Sequence, residues 1–244
     1  MTMLSRTIKC ALPGFLFFVA AATCQAGSIE LTPVRIDLSA AAKVAILTVR
    51  NTGDEETVMQ VTLNKWTLDG QAYAYEQSQD LIVTPATFQL APNKTQIIRI
   101  GLRSSPPTDK EGAYRLLVEE VPPPPSADVT QMRLVVRHDL PIFIAPSVKA
   151  RPAIDVSIEC GADGAKLRLT NIGNVHVKLR DVVLEDTSAK QELARWENFD
   201  YLLPDAQKSW SLGQVAPKTN GKNFLVNMLT EQGSFTADAK NTCL

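Results

Sequence analysis

The chain has little of what enzymes are usually built from. It holds only two histidines in 244 residues, His138 and His176, and no His/Cys spacing suits a metal site. A Gly-rich phosphate loop and a nucleophile-elbow motif are both missing. Glu119 and Glu120 are neighbours on a strand pattern, so they point to opposite faces and do not form a cooperating carboxylate pair. These absences set aside catalytic, metal and cofactor chemistry: the expectation is a protein that is not an enzyme. An excess of one charge is missing too, with Lys+Arg 25 against Asp+Glu 26, so there is no electrostatic footprint for nucleic acid.

Long apolar runs are confined to the start. Arg6 and Lys9 precede an apolar stretch from Cys10 to Ala22, then small residues at Cys24 and Ala26, the layout of a secretory signal peptide cleaved after Ala26. The stretch is shorter than the roughly 20 residues a membrane span needs, and Pro13 and Gly14 interrupt it. A retained anchor, or a lipoprotein acylated at Cys24, is the weaker alternative; Thr23 before that Cys suits acylation poorly. No later segment is long enough to span, so no stable membrane insertion is expected. The leader takes Cys10 and Cys24 with it, leaving Cys160 and Cys243. In an oxidising compartment such a remaining pair forms one disulfide; two buried free thiols are the other possibility.

What is present is a period of two. From Ser28 onward short apolar runs are bounded by turn residues, and no stretch carries a long helical stripe. Strands are expected at Ile29–Leu38, Lys43–Arg50, Val58–Trp66, Ala86–Leu90, Thr95–Leu102 and Ala113–Val121, with a turn at Asn51–Asp54. Pro122 to Pro125 cannot lie inside a ladder, because proline lacks the N–H and fixes φ, so they form a stiff connection. Beyond them Met132, Leu134 and Val136 alternate with Arg133, Val135 and Arg137, giving an apolar face that continues through His138 to Leu140. After Ile142–Ala145, residues 147–152 read as a linker. Strand signals then resume at Ile154–Ile158, Lys166–Thr170, Val175–Leu184, Asp200–Leu203, Lys208–Leu212 and Phe224–Leu229. Asn51-Thr-Gly53 and Asn171-Ile-Gly173 fall at similar places in the two halves. The expectation is an all-β chain of two tandem immunoglobulin-like β-sandwiches, residues 27–146 and 153–244, behind a signal peptide at 1–26.

Four stretches in order then carry a family resemblance: Leu31-Thr-Pro-Val-Arg35; Leu90-Ala-Pro-Asn-Lys-Thr-Gln-Ile-Ile-Arg99; Tyr114-Arg-Leu-Leu-Val-Glu-Glu-Val-Pro-Pro123; and the alternation from Met132. Together they resemble the PapD-like periplasmic chaperones of the chaperone/usher pilus pathway, over essentially the whole mature chain. The resemblance implies a boomerang of two domains in the periplasm. Its partners would be pilus or fimbrial subunits and an outer-membrane usher. A subunit would be held by donor-strand complementation, a form of β-augmentation, with Met132, Leu134, Val136, His138 and Leu140 as the donor strand. On periodicity alone an ordinary half-buried strand facing its own domain's core is the favoured reading, and the resemblance reverses it. Arg35 would bind the subunit's terminal carboxylate, which a guanidinium fork suits, and Arg99 with Glu120 would belong to an interdomain charge network. Such chaperones pair the arginine with a lysine on the last strand of the first domain; here that position is Pro141, a departure that suggests an archaic-type branch. Arg137 has the right parity but lies about 13 Å away at strand rise. A structural or adhesive Ig-like protein without chaperone activity is the competing expectation.

Overall fold

The computed structural model describes residues 29–69, 72–103, 107, 109–122, 135–162, 164–213 and 224–241. Among them there is no α-helix. The first half contributes β1 (Ile29–Thr32), β2 (Ile36–Leu38), β3 (Val44–Asn51), β4 (Thr57–Asp69), β5 (Ala72–Gln77), β6 (Leu81–Thr84), β7 (Thr87–Leu90), β8 (Thr95–Leu102), β9 (Gly112–Val121) and β10 (Arg137–Ile144). The second half contributes β11 (Ile154–Gly161), β12 (Gly164–Asn171), β13 (Val177–Asp186), β14 (Gln191–Leu202), β15 (Gln207–Ser211), β16 (Phe224–Thr230), β17 (Gly233–Asp238) and β18 (Lys240–Asn241).

Each half is a sandwich. Sheets β1-β3-β8-β6 and β2-β10-β9-β4-β5, with β7 on β4, make the first; β15-β12-β11-β18 and β14-β13-β16-β17 make the second. The period of two decides which side chains meet between the sheets. Leu47 and Val49 of β3 and Ile98 and Ile100 of β8 are buried against Leu116 and Val118 of β9 and Leu140, Ile142 and Ile144 of β10. Each such side chain contributes about 1.5–3 kcal/mol by leaving water.

The Asn-x-Gly similarity turns out to be a shared lock. The Asn51 side-chain amide donates to the carbonyls of Glu55 (2.7 Å) and Leu90 (3.0 Å), and its oxygen accepts from the Gly53 N–H (2.9 Å). Asn171 repeats this with Val175 (2.8 Å), Leu202 (2.8 Å) and Gly173 (2.8 Å). The two asparagines are 1% and 0% exposed. The carbonyls they hold precede matching turns, Pro92-Asn93 and Pro204-Asp205, in which Asn93 (φ 58) and Asp205 (φ 65) are left-handed, as Asn and Asp tolerate.

The segment read as a linker is fastened down. Asn174 Oδ1 accepts from the Arg151 N–H (2.6 Å), its amide donates to the Lys149 carbonyl (3.0 Å), and the Ile172 N–H donates to the Ala153 carbonyl (2.9 Å). Trp66, Ala113 and Phe143 of the first sandwich pack within the apolar cluster of the second, so the sandwiches share an apolar contact. The run read as one first strand is two, β1 and β2, in different sheets. The chain changes sheet at Pro33–Arg35, where a proline cannot donate to a ladder.

Candidate functional site

The site grows from the parity of β10. Its even-numbered Leu140, Ile142 and Ile144 fill the first sandwich, whereas Phe143 packs with the second. Upstream on the even face His138 and Val136 are half-buried. The Glu120 N–H donates to the Val136 carbonyl (3.3 Å), so even-numbered residues aim their backbone groups at β9 and odd-numbered ones aim theirs away. β2 pairs with β10 only over Ile142–Ile144. From Arg137 to Pro141 the side away from β9 is therefore open among the described residues. Pro141 would have turned its N–H toward that open side, so β10 runs through it without losing a bond to β9, which explains why a strand contains it.

On the odd face Pro141 stands opposite Arg115 of β9. Arg115 lies over the Trp66 ring, 3.8 Å from its centroid, and 5.6 Å from that of Tyr201. Its Nη1 is 3.6 Å from Asp139 Oδ1, and its buried Nε has no hydrogen-bond partner. Stacking of this kind is worth about 0.5–2 kcal/mol and fixes where the fork points. Lys178 Nζ lies 5.0 Å from the same Tyr201 ring. Arg35 immediately precedes Ile36, the partner of Ile142. Its Nε donates to Asp37 Oδ2 (3.0 Å) and its Nη1 to Glu231 Oε2 of the second sandwich (2.9 Å). Burial alone would lower the Arg35 pKa; the carboxylates of Asp37 and Glu231 outweigh it and hold the guanidinium above its ordinary value.

Around this crevice further polar contacts tie the sandwiches together. Glu111 Oε2 accepts from the His176 N–H (2.8 Å) and meets its Nδ1 at 2.7 Å, while the His176 ring stacks on Phe143 at 3.7 Å. The Tyr73 hydroxyl donates to Asp200 Oδ1 (3.3 Å), and Lys110 pairs with Asp205.

Among the described residues, Arg35–Glu231 and Lys110–Asp205 are ion pairs that cross between the sandwiches, with the His176–Glu111 hydrogen bond beside them. Glu120 lies seven residues along β9 from Ala113, about 23 Å at strand rise, where it accepts from Thr57 Oγ1 (2.8 Å). Arg99 is exposed on β8, opposite Ile46. Met132, Leu134 and Cys243 lie outside the described residues, whereas Cys160 is disulfide-bonded. Arg115 escaped the sequence reading because only the β9–β10 register puts it beside Pro141.

The described residues form two tandem immunoglobulin-like sandwiches without an α-helix, with an open strand edge beside a cleft where Arg35 and Arg115 meet Asp37, Asp139 and Glu231. The family model for pili and flagellar-assembly chaperones, PapD N-terminal domain, matches residues 28–149. Among curated relatives, the chaperone protein LpfB of Salmonella typhimurium is 25% identical over 72% of this chain and 71% of its own length. The probable fimbrial chaperone LpfB of Escherichia coli O157:H7 is 27% identical over 60% of this chain and 62% of its own. Among solved structures, the CsuC–CsuE chaperone–tip adhesion subunit pre-assembly complex from archaic chaperone-usher Csu pili of Acinetobacter baumannii contains a chain similar to this one. It aligns with TM-score 0.67 and 18% identity over 89% of this chain and 100% of that one. The Salmonella enterica SafA pilin–SafB chaperone complex aligns with TM-score 0.56 and 20% identity, over 87% and 97%. The chain belongs to the PapD-like family of pilus chaperones.

Proposed function

We propose that the protein is a periplasmic chaperone that captures pilus subunits by donor-strand complementation and delivers them to an outer-membrane usher. The observation that carries this reading is β10. Its core-filling parity continues upstream through His138 and Val136, along a stretch whose outer edge is open. An immunoglobulin-like subunit that lacks a strand would pair with that edge and take the same apolar face into its own core, which is β-augmentation. Met132, Leu134, Val136, His138 and Leu140 are the proposed donor residues, and Arg35 the anchor for the subunit's terminal carboxylate. The export signal at residues 1–26 and the Cys160–Cys243 disulfide suit the same compartment. Support for that pairing comes from β18, whose Asn241 stands beside Ile158 in parallel register, each two residues short of one of the cysteines. No helix among the described residues is long and apolar enough to cross a membrane.

The test is co-expression with a pilus subunit. The wild-type chain is expected to yield a soluble one-to-one complex of a subunit that otherwise aggregates. Val136→Glu is expected to lower capture at least roughly tenfold, because a charge entering an apolar pocket is costly, with thermal unfolding of the free protein nearly unchanged. Equal subunit yield with and without the chain would instead favour a structural or adhesive role.

A further inference from the structure

Of the proposed donor residues Met132, Leu134, Val136, His138 and Leu140, four are apolar and one is an imidazole. Burial along this face fades toward the open end of the strand: Leu140 is buried, His138 and Val136 are half-buried. Across β9, Leu140 stands opposite Leu116 and His138 opposite Val118, both of which belong to the core of the first sandwich. His138 therefore sits at the mouth of that core, against hydrocarbon. Its Nε2 is buried and has no hydrogen-bond partner. A leucine in its place would leave no polar atom unpaired, and such an atom destabilises until it finds a partner. On the same face of β9 the charged side chain is Glu120, two residues from Val118 and held by Thr57 Oγ1 (2.8 Å). Arg137 and Asp139 of β10 and Glu119 of β9 have the other parity and turn to the opposite face.

We propose that His138 selects among subunits, favouring one whose groove presents a neutral hydrogen-bonding side chain, a hydroxyl or a carboxamide, between the pockets that take Val136 and Leu140. This rests on the reading of β10 as a donor strand. Capture covers the half-exposed imidazole. A groove that is apolar throughout strips its remaining water and leaves it unpaired, whereas a groove with a matching polar group gives Nε2 the partner it lacks in the free chain. Discrimination by an unsatisfied buried group exceeds what shape alone achieves among apolar side chains. The neutral form of the imidazole is the one captured. Burial already holds its pKa below the ordinary 6.5, and deeper burial pushes it the same way. A neutral imidazole has one donor and one acceptor nitrogen, and a hydroxyl or carboxamide matches it in either sense. A carboxylate accepts only, and its charge is costly to enclose in an apolar groove.

The experiment takes one pilus subunit already shown to be captured on co-expression and reads relative affinity from its exchange between tagged wild-type and variant chains. His138→Leu keeps an apolar side chain of similar reach and removes both nitrogens. It is expected to weaken capture roughly tenfold, with thermal unfolding of the free variant showing that it remains folded; His138→Gln, neutral and still hydrogen-bonding, is expected to recover part of the loss. Each polar side chain lining the subunit's groove is then replaced in turn by an apolar one of similar size. One such change is expected to weaken capture by the wild-type chain roughly tenfold and by His138→Leu less than about twofold, the non-additivity of a direct pair. Equal or tighter capture by His138→Leu, or additive losses at every groove position, would overturn the proposal. Acidification from about pH 8 to about pH 5 is expected to weaken the wild-type chain relative to His138→Gln; relative strengthening would mean a carboxylate partner and overturn the neutral class. Val136→Glu separates the two levels of inference. If it abolishes capture while the groove losses are additive, the donor strand stands and His138 is not its selector. If it leaves capture unchanged, the donor-strand reading itself is wrong.

Discussion

The two sandwiches end on the same hairpin and close it differently. In the second, β16 and β17 are joined by Glu231 and Gln232 alone, with Thr230 opposite Gly233 and the Thr230 hydroxyl donating to the Gly233 carbonyl (2.7 Å). In the first, β9 ends at Val121 and β10 begins at Arg137, so residues 122–136 lie between them. A hairpin of the shorter kind has no spare strand to offer. In the first sandwich the even face of β10 continues upstream as half-buried His138 and Val136, still paired with β9, while the pairing with β2 stops at Ile142–Ile144. The short hairpin takes part as well, since its turn residue Glu231 is the one that reaches Arg35.

If the two halves are one architecture used twice, their locks should matter equally. Asn51→Ala and Asn171→Ala each remove three hydrogen bonds and leave buried carbonyls without donors. Each is expected to cost about 3 kcal/mol, since orphaned buried groups cost about 1–3 kcal/mol apiece. Urea unfolding would measure both. A loss under about 1 kcal/mol at one asparagine alone would break the equivalence.

The shared turn was legible in the sequence because Asn-x-Gly is local, as were the strand periodicity and the stiff proline run. Partners across sheets were not. Nothing in Leu31-Thr-Pro-Val-Arg35 says that the chain leaves one sheet for the other, and that crossing is what brings Arg35 to the side of β10. Which strand ends meet the second sandwich was not legible either: they are the ones that carry Ala113, Trp66 and Phe143. The polar β5 and all but the last residues of β14 escaped for the same reason: their alternation is weak, and their neighbours in the sheet define them.

The Glu231 contact sharpens the contrast between the hairpins with a smaller effect. Arg35 and Glu231 side chains are 37% and 31% exposed, so solvent screens the pair and Glu231→Gln is expected to cost under about 1 kcal/mol of stability. If Glu231 occupies the place a subunit carboxylate takes, the same change is expected to tighten capture roughly two- to fivefold, read by titration calorimetry. Weaker capture would mean that Glu231 positions Arg35 rather than competing for it.

The smallest effect belongs to the lengthened hairpin alone. His138 sits on the even face of β10 opposite Val118, with a buried Nε2 that has no hydrogen-bond partner. Desolvation pushes its pKa below the ordinary imidazole value of 6.5. The folded chain therefore holds it neutral where the unfolded chain takes up a proton, and the unfolded state binds more protons in that window. Stability is then complete above the ordinary value, falls as pH drops below it, and levels once the folded form also protonates. Thermal unfolding of wild type and His138→Gln across this range gives a difference in which carboxylate titrations common to both cancel. The wild-type chain is expected to lose more on acidification; parallel curves would place His138 in an environment that does not distinguish its two charge states, and the even face of β10 would then be wetter than its parity implies.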